Sequence, residues 1–529
     1  SDAPKESEAG LTPRTPKYEG LVSAAVHLRW LVVPAYLVVC GLTLFWASGR
    51  LGVEIFPTVD AGEFRLRFRA PDGTHIDKTE QIALDILDTV KQKVGEKNVA
   101  MTLGYIGTVP ASFPINAVYH FSRGPEEGLL RIALKPNSGI STEAMKEELR
   151  REFRDRFPSV RFSFEPADII SEVMSFGSPT PIEIAARGGN LTENREYIGK
   201  VQTALGKMPA IRDMQVVQSL DYPTVEIKVD REKAGMSGTT VSQVTRSVVT
   251  ATSSSRFVVP NYWPDPKTGI GYQVQVEIPQ PQLDSLEDLG AVPIQRGSGI
   301  HAGQSLLLRD VASLANATTP GEYDRYNMKR EISLTANIAG DDLGAVSQQI
   351  TSALTAVAKQ DAEAKAQAHK EAAEKAKAAG NTAPIPKPAA ISHELRGQIP
   401  PLRSIMNGLG IGLLLAILVI FLMLSANFQS WRLAFVTVST APAVLTGVAL
   451  SLLLTGSTLN IQSFIGAIMS LGVAMANAIL LVTFAEERRR TFGVRDVSPA
   501  LDSSSLAKPS IGKFQSGADT HALQSAVYG

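Results

Sequence analysis

Among 529 residues the sequence has a single cysteine, Cys40, so no intrachain disulfide is possible. It has no net charge either. Lys and Arg total 52, Asp and Glu total 52, and nothing in that balance points to nucleic acid. There is no P-loop, no G-x-G-x-x-G following a strand, no Ser-His-Asp pattern and no His/Cys cluster at metal-ligand spacing. The seven histidines are scattered. These absences argue against an enzyme and against a cofactor. Any work the chain does would draw on an ion gradient, such as a proton gradient, or on a partner. A signal peptide is also missing. The opening S-D-A-P-K-E-S-E-A-G reads as a piece of something longer, cut within a polar linker spanning 1–30.

What the chain does have is apolar length. Residues 31–48 are apolar over about 18 positions, with Trp30 and Trp46 at the two ends as an aromatic belt would place them. A buried core helix is the alternative reading of this run. Three more runs follow at 405–425, 433–454 and 464–485, joined by the short loops A-N-F-Q-S-W-R and T-G-S-T-L-N-I-Q-S. Four transmembrane helices are therefore expected, with Gly408, Gly410 and Gly412 allowing close helix approach. The last run carries one strongly polar side chain, Asn477. An amide is costly in lipid without partners, so Asn477 is read as facing other helices, either as interhelical glue or as a functional group. Short-loop charge sets the orientation. Arg14, Lys17 and Arg29, then Arg432, then Arg488, Arg489 and Arg490 fall on one side, the cytoplasmic one. The long middle lies opposite, which in a bacterium is the periplasm.

That middle has soluble composition. Phe64, Leu66 and Phe68 alternate with Arg65, Arg67 and Arg69, as in a half-buried strand. Ile82, Ile86, Val90 and Val94 mark a helix, and Met145, Leu149, Phe153 and Phe157 mark another. With strands near Val99–Ile106, Leu130–Leu134 and Val160–Phe164, residues 62–165 read β-α-β-β-α-β. The order begins again over 181–254 and 320–357. Its last strand is expected at Glu331–Ile338, and a β-rich insertion occupies 255–319. The Ala/Lys/Glu stretch and prolines of 358–404 read as a helical extension and linker. The tail, 491–529, reads as disordered. The fold class is thus an α+β membrane protein, with tandem ferredoxin-like units between the first span and the rest.

Five stretches, in order, resemble the C-terminal half of resistance–nodulation–division (RND) efflux pumps, closest to the hydrophobe/amphiphile multidrug class (AcrB-like). They are L-G-V-E-I-F-P-T-V-D-A-G-E-F from Leu51, V-D-R-E-K-A-G-M-S-G-T-T-V-S-Q-V from Val229, R-Y-N-M-K-R-E from Arg325, A-N-F-Q-S-W-R from Ala426, and G-V-A-M-A-N-A-I-L-L-V-T-F-A from Gly472. Together they span roughly residues 30–490.

The resemblance implies two porter subdomains with a docking insertion, and a cleft that admits amphiphilic drugs, detergents and dyes. Gly104–Pro114 lies where the family has a switch loop, with Tyr105 and Phe113 as aromatic contacts or as ordinary surface aromatics. It also implies a proton-driven homotrimer in the inner membrane, working with an N-terminal half, a periplasmic adaptor protein and an outer-membrane channel. The family's tenth-span lysine is replaced by Ala476, beside Asn477. Neither the fourth-span aspartates nor the eleventh and twelfth spans are found. A truncated pump half, inactive alone, is the first reading. The alternatives are a membrane-anchored periplasmic assembly or binding module, a decayed fragment, and a metal-exporting relative.

Overall fold

The computed structural model describes residues 24, 27–57, 60, 62–108, 120, 122–136, 138–167, 169–295, 306–340, 342–378 and 390–495. They form two compact units. One comprises the described residues up to Arg50, Leu409–Thr455 and those from Gln462 onward, and the other comprises Leu51–Gly408 and Gly456–Ile461.

Among the described residues, four helices are long and apolar enough to cross a membrane: Arg29–Ser48, Ile399–Phe428, Trp431–Thr455 and Ile461–Arg488. Their faces stay largely apolar and exposed, as lipid contact requires. Trp30 and Trp46 are exposed, and Arg50 stacks on the Trp46 ring at 4.5 Å. The third helix is interrupted between Trp431–Val438 and Ala441–Thr455.

The larger unit begins with strand β1 (Glu63–Arg69), then helix α1 (Ile76–Val94), β2 (Val99–Ile106), β3 (Glu127–Leu134), α2 (Thr142–Arg156) and β4 (Arg161–Glu165). The sheet order is β2-β3-β1-β4, antiparallel throughout. Phe64, Leu66 and Phe68 meet Ile86, Val90, Leu149 and Phe153 in one core. Asp60 accepts from the backbone N–H of Thr142 at 2.9 Å and so holds the start of α2.

A second sheet repeats the scheme, but not where the sequence pattern puts it. Strands β5 (Ile182–Gly188) and β6 (Ile211–Val216), joined by helix α3 (Leu191–Leu205), pair with the chain near Lys329–Ile338 and Ser392–Gly397. The intervening strand β7 (Tyr222–Val229), inside the range read as the repeat, pairs instead with β8 (Ala312–Thr319) of the insertion. Helix α4 (Val241–Thr252) goes with it, since Val244 and Ala251 share a small core with Val292, Leu306, Leu308 and Val311. The insertion is therefore larger than 255–319. Strand β9 (Lys329–Ile338) is then the third strand of the repeat, not the last.

Helix α5 runs unbroken over Leu343–Ala378. Its first half buries Leu343, Val346, Ile350, Leu354 and Val357 against β5, β9 and α3. Beyond Lys359 the apolar residues give out, and Asp361 bonds Lys200 at 2.6 Å instead. The closing strand, β10 (Ser392–Gly397), lies inside the segment read as linker. Its residues are mostly polar because it is an edge strand, with Glu394 and Arg396 reaching the arginines and glutamates of β5 and β9. The two sheets thus share one order, β6-β9-β5-β10 in the second. At Gly397, φ is +83° and an added Cβ would sit 2.4 Å from the Pro181 carbonyl oxygen, so only glycine turns the chain here into helix Ile399–Phe428.

Candidate functional site

The polar face of β1 is not solvated. All three arginines are buried, so the half-buried reading of this strand is corrected. Register explains why: Arg65 stands opposite Glu165 on β4, and Arg69 opposite Glu127 on β3. Arg65 Nε donates to Glu165 Oε2 at 2.9 Å, and Arg67 donates to both oxygens of the same carboxylate. Arg67 Nη2 also reaches the His120 carbonyl at 2.6 Å. Arg69 Nε donates to Glu127 Oε1 at 2.7 Å, and its outer nitrogens donate to the Val216 and Val217 carbonyls. Burial works to lower the Arg67 pKa, but Glu165 and Glu127 outweigh it and hold the guanidinium above its ordinary value.

Arg69 therefore ties the first sheet to the end of β6 in the second. Asp213 makes the complementary tie. It accepts two bonds from Arg150 at 2.9 Å each, one from the Phe164 N–H at 2.9 Å and one from Asn337 at 3.0 Å. Next to this seam, within the same unit, is a cavity of about 870 Å³ lined by Arg123, Glu183, Asp324, Tyr326, Glu331 and Arg396, among others. Most of its charges are mutually paired. Glu331 is bridged by Arg187 and Arg396, and the Arg187 guanidinium lies 3.9 Å above the Tyr326 ring. Among the described residues no group of three or more His, Cys, Asp or Glu is placed to hold a metal ion.

Tyr105 lies in strand β2 rather than in a loop, half-buried, with its ring 3.8 Å from that of His120. Phe113 falls outside the described residues. In the membrane unit Ala476 and Asn477 are both exposed on the fourth helix, while their neighbour Met475 is buried with Ala441 and Leu471. The expected inward-facing Asn477 is thus not met within this unit. Sequence reading passed over His120, Asp213, Glu127 and Glu165. The available signal was three arginines on alternate positions of one strand, too many for a strand face without acidic partners.

His120 yields a pH prediction. Its ring nitrogens are buried and make no hydrogen bond to the described residues. Burial, then Arg65 and Arg67, hold its pKa below the ordinary 6.5. The unfolded chain then binds the proton more readily than the folded one, so stability should fall as pH drops through about 6.5. Chemical unfolding of wild type and His120→Phe at about pH 5 and about pH 7.5 checks this. The variant should lose less stability on acidification, and equal losses would discard the role of His120.

Four apolar helices of spanning length, together with tandem α+β units, mark an integral membrane protein. A model of the AcrB/AcrD/AcrF family matches residues 5–392 and 357–505, and the chain belongs to that family, the RND transporters. The cation efflux system protein CzcA of Alcaligenes sp. (strain CT14) is 24% identical over 481 residues, 89% of this chain and 40% of that protein. The multidrug/solvent efflux pump membrane transporter MepB of Pseudomonas putida is 22% identical, with the same 89% and 40% shares. A crystal structure of a heavy metal efflux pump superposes with a TM-score of 0.71 at 20% identity, covering 88% of this chain and 44% of that one. The chain spans less than half the length of the curated relatives it matches.

Proposed function

We propose that this chain is the C-terminal half of an RND efflux permease of a bacterial inner membrane, with its larger unit in the periplasm. The family match running from residue 5 to residue 505 carries this reading. Transport would proceed by conformational cycling driven by protons and without covalent catalysis, completed by an N-terminal half. A trimer, a periplasmic adaptor and an outer-membrane channel belong to the same reading.

Several relatives are named for cobalt, zinc, cadmium and nickel, which favours metal cations over the amphiphiles expected from the sequence. The match to MepB over the same share of the chain keeps amphiphilic compounds as the second reading.

Co-expression with a family N-terminal half, in cells sensitive to both metals and dyes, tests the pair. Raised tolerance to cobalt, zinc or cadmium supports the first cargo. Dye extrusion without metal tolerance supports the second. Neither, with the chain present in the membrane, would move the function to a periplasmic assembly module, tested by capture of an adaptor.

A further inference from the structure

The third membrane helix breaks at Ser439 and Thr440. In a continuous helix the Ala443 N–H would bond the Ser439 carbonyl, four residues back. Here the hydroxyl of Tyr36, on helix Arg29–Ser48, stands between those two groups. It donates to the Ser439 oxygen at 2.8 Å and accepts from the Ala443 nitrogen at 3.1 Å. Pro442 supplies the local cause of the break, since its ring crowds the Val438 carbonyl and it has no N–H of its own to give. The break lies roughly 12 Å along the helix from Trp431, at about 1.5 Å per residue. Backbone groups opened within a spanning helix gain little from water, which favours a partner close by. A proline alone would leave the Ser439 carbonyl and the Ala443 N–H apart and unmet. One phenol meets both, and a side chain inserted into the i→i−4 ladder is a recognised cause of a sharp helix break.

The break also has a neighbour. The Thr440 hydroxyl lies 3.8 Å from the Met475 sulfur. Ala441, Leu471 and Met475 are the buried centre of the membrane unit, with Leu413, Ile417, Val438 and Val444 around them. Met475 directly precedes Ala476 and Asn477. Straightening the third helix would carry Thr440 and Ala441 off Met475, because a packed core has discrete arrangements rather than a continuum.

We propose that Tyr36 is a positioning residue of the membrane unit. Its hydroxyl, wedged into the third helix, holds the broken segment against Met475 and so sets where Ala476 and Asn477 are presented. The geometry does not depend on any cargo; its bearing on transport rests on the efflux reading above.

The test uses the full chain in lipid nanodiscs and follows deuterium exchange at the Ala443 amide. Tyr36→Phe removes only the hydroxyl. Exchange there should quicken by about five- to tenfold, the loss of one hydrogen bond. Adding Pro442→Ala to that variant removes the clash and lets Ala443 bond Ser439 directly, so exchange should return to the wild-type rate. Unchanged exchange in Tyr36→Phe overturns the proposal. So does quickened exchange that Pro442→Ala does not reverse, because that is general loosening.

A transport arm follows with the N-terminal half present. Tyr36→Phe should lower efflux, and the double variant, with its helix closed but unbroken, should not recover it. Full efflux by the double variant would remove the positioning role. Absence of efflux from the wild-type chain would count against the transport reading and leave the exchange result standing.

Discussion

Replacing Glu165 by alanine is expected to destabilise the first α+β unit by about 3–5 kcal/mol. Glu165 is almost wholly buried and serves two buried guanidinium groups, Arg65 and Arg67. Removing it takes from each arginine a buried carboxylate; Arg67 keeps, among its contacts, Glu127 at 3.9 Å and the His120 carbonyl, and Arg65 keeps Glu172. Both charges have left water, and both lose the same buried carboxylate. Arginine cannot escape by losing its proton, so the penalty falls on folding. The same reasoning predicts a rescue. Replacing Arg65, Arg67 and Glu165 together by Met, Met and Leu should recover most of the loss, since apolar residues of similar volume serve a buried site about as well as an ion network. Chemical unfolding followed by circular dichroism reads both variants. A cost for Glu165→Ala of under about 1 kcal/mol would mean that the network is hydrated and behaves as a surface one. Added salt should change the result little, because buried pairs are poorly screened.

That network also marks where sequence reading reached its limit. The spans were legible because lipid demands about 20 consecutive apolar residues, a requirement written locally in the chain. The first α+β unit was legible because its strands and helices follow one another with clear periods of 2 and 3.6. Burial of the β1 arginines was not, since their partners Glu127 and Glu165 lie 58 or more residues away along the chain. Strand β10 was invisible for a related reason. S-H-E-L-R-G carries one large apolar residue, and its place in the sheet is decided by backbone pairing with β5 and by ion pairs to Glu183 and Glu331. Without that strand, β9 reads as the end of the repeat, although it pairs as the third strand. Of the candidate site residues, Asn477 stands out as the one strongly polar side chain of its span, and Ala476 stands out through the resemblance. Tyr36 carried no local signal at all, because its role depends on a helix break some 400 positions later.

The second large effect is expected at the seam. Asp213 has φ +50°, a left-handed conformation that Asp tolerates better than most residues. The cause is a bulge. Between β6 and β9 the pairing passes from Gln215–Thr335 to Arg212–Asn337, so β6 carries one more residue than its partner there. That extra residue turns the Asp213 carboxylate out of its own sheet and toward β4 and α2, where it takes up Arg150, the Phe164 N–H and Asn337. Burial opposes the charge on Arg150, yet its contacts with Asp213 more than offset that and raise its pKa.

Asp213→Ala leaves a largely buried arginine with the half-exposed Glu147 in place of a two-oxygen partner and strips a strand N–H of its acceptor, and should cost about 2–4 kcal/mol. It should also do something that Glu165→Ala should not. The Asp213 carboxylate is shared by the two α+β units, whereas Glu165 lies inside one of them, so calorimetry of Asp213→Ala should resolve two unfolding transitions in place of one. Asp213→Asn keeps the left-handed backbone and one accepting oxygen, and should retain a single transition at reduced stability. If both substitutions gave one undivided transition at the wild-type temperature, Arg69 and its two carbonyl partners would hold the seam alone, and the Asp213 clamp would be incidental to the coupling of the two units.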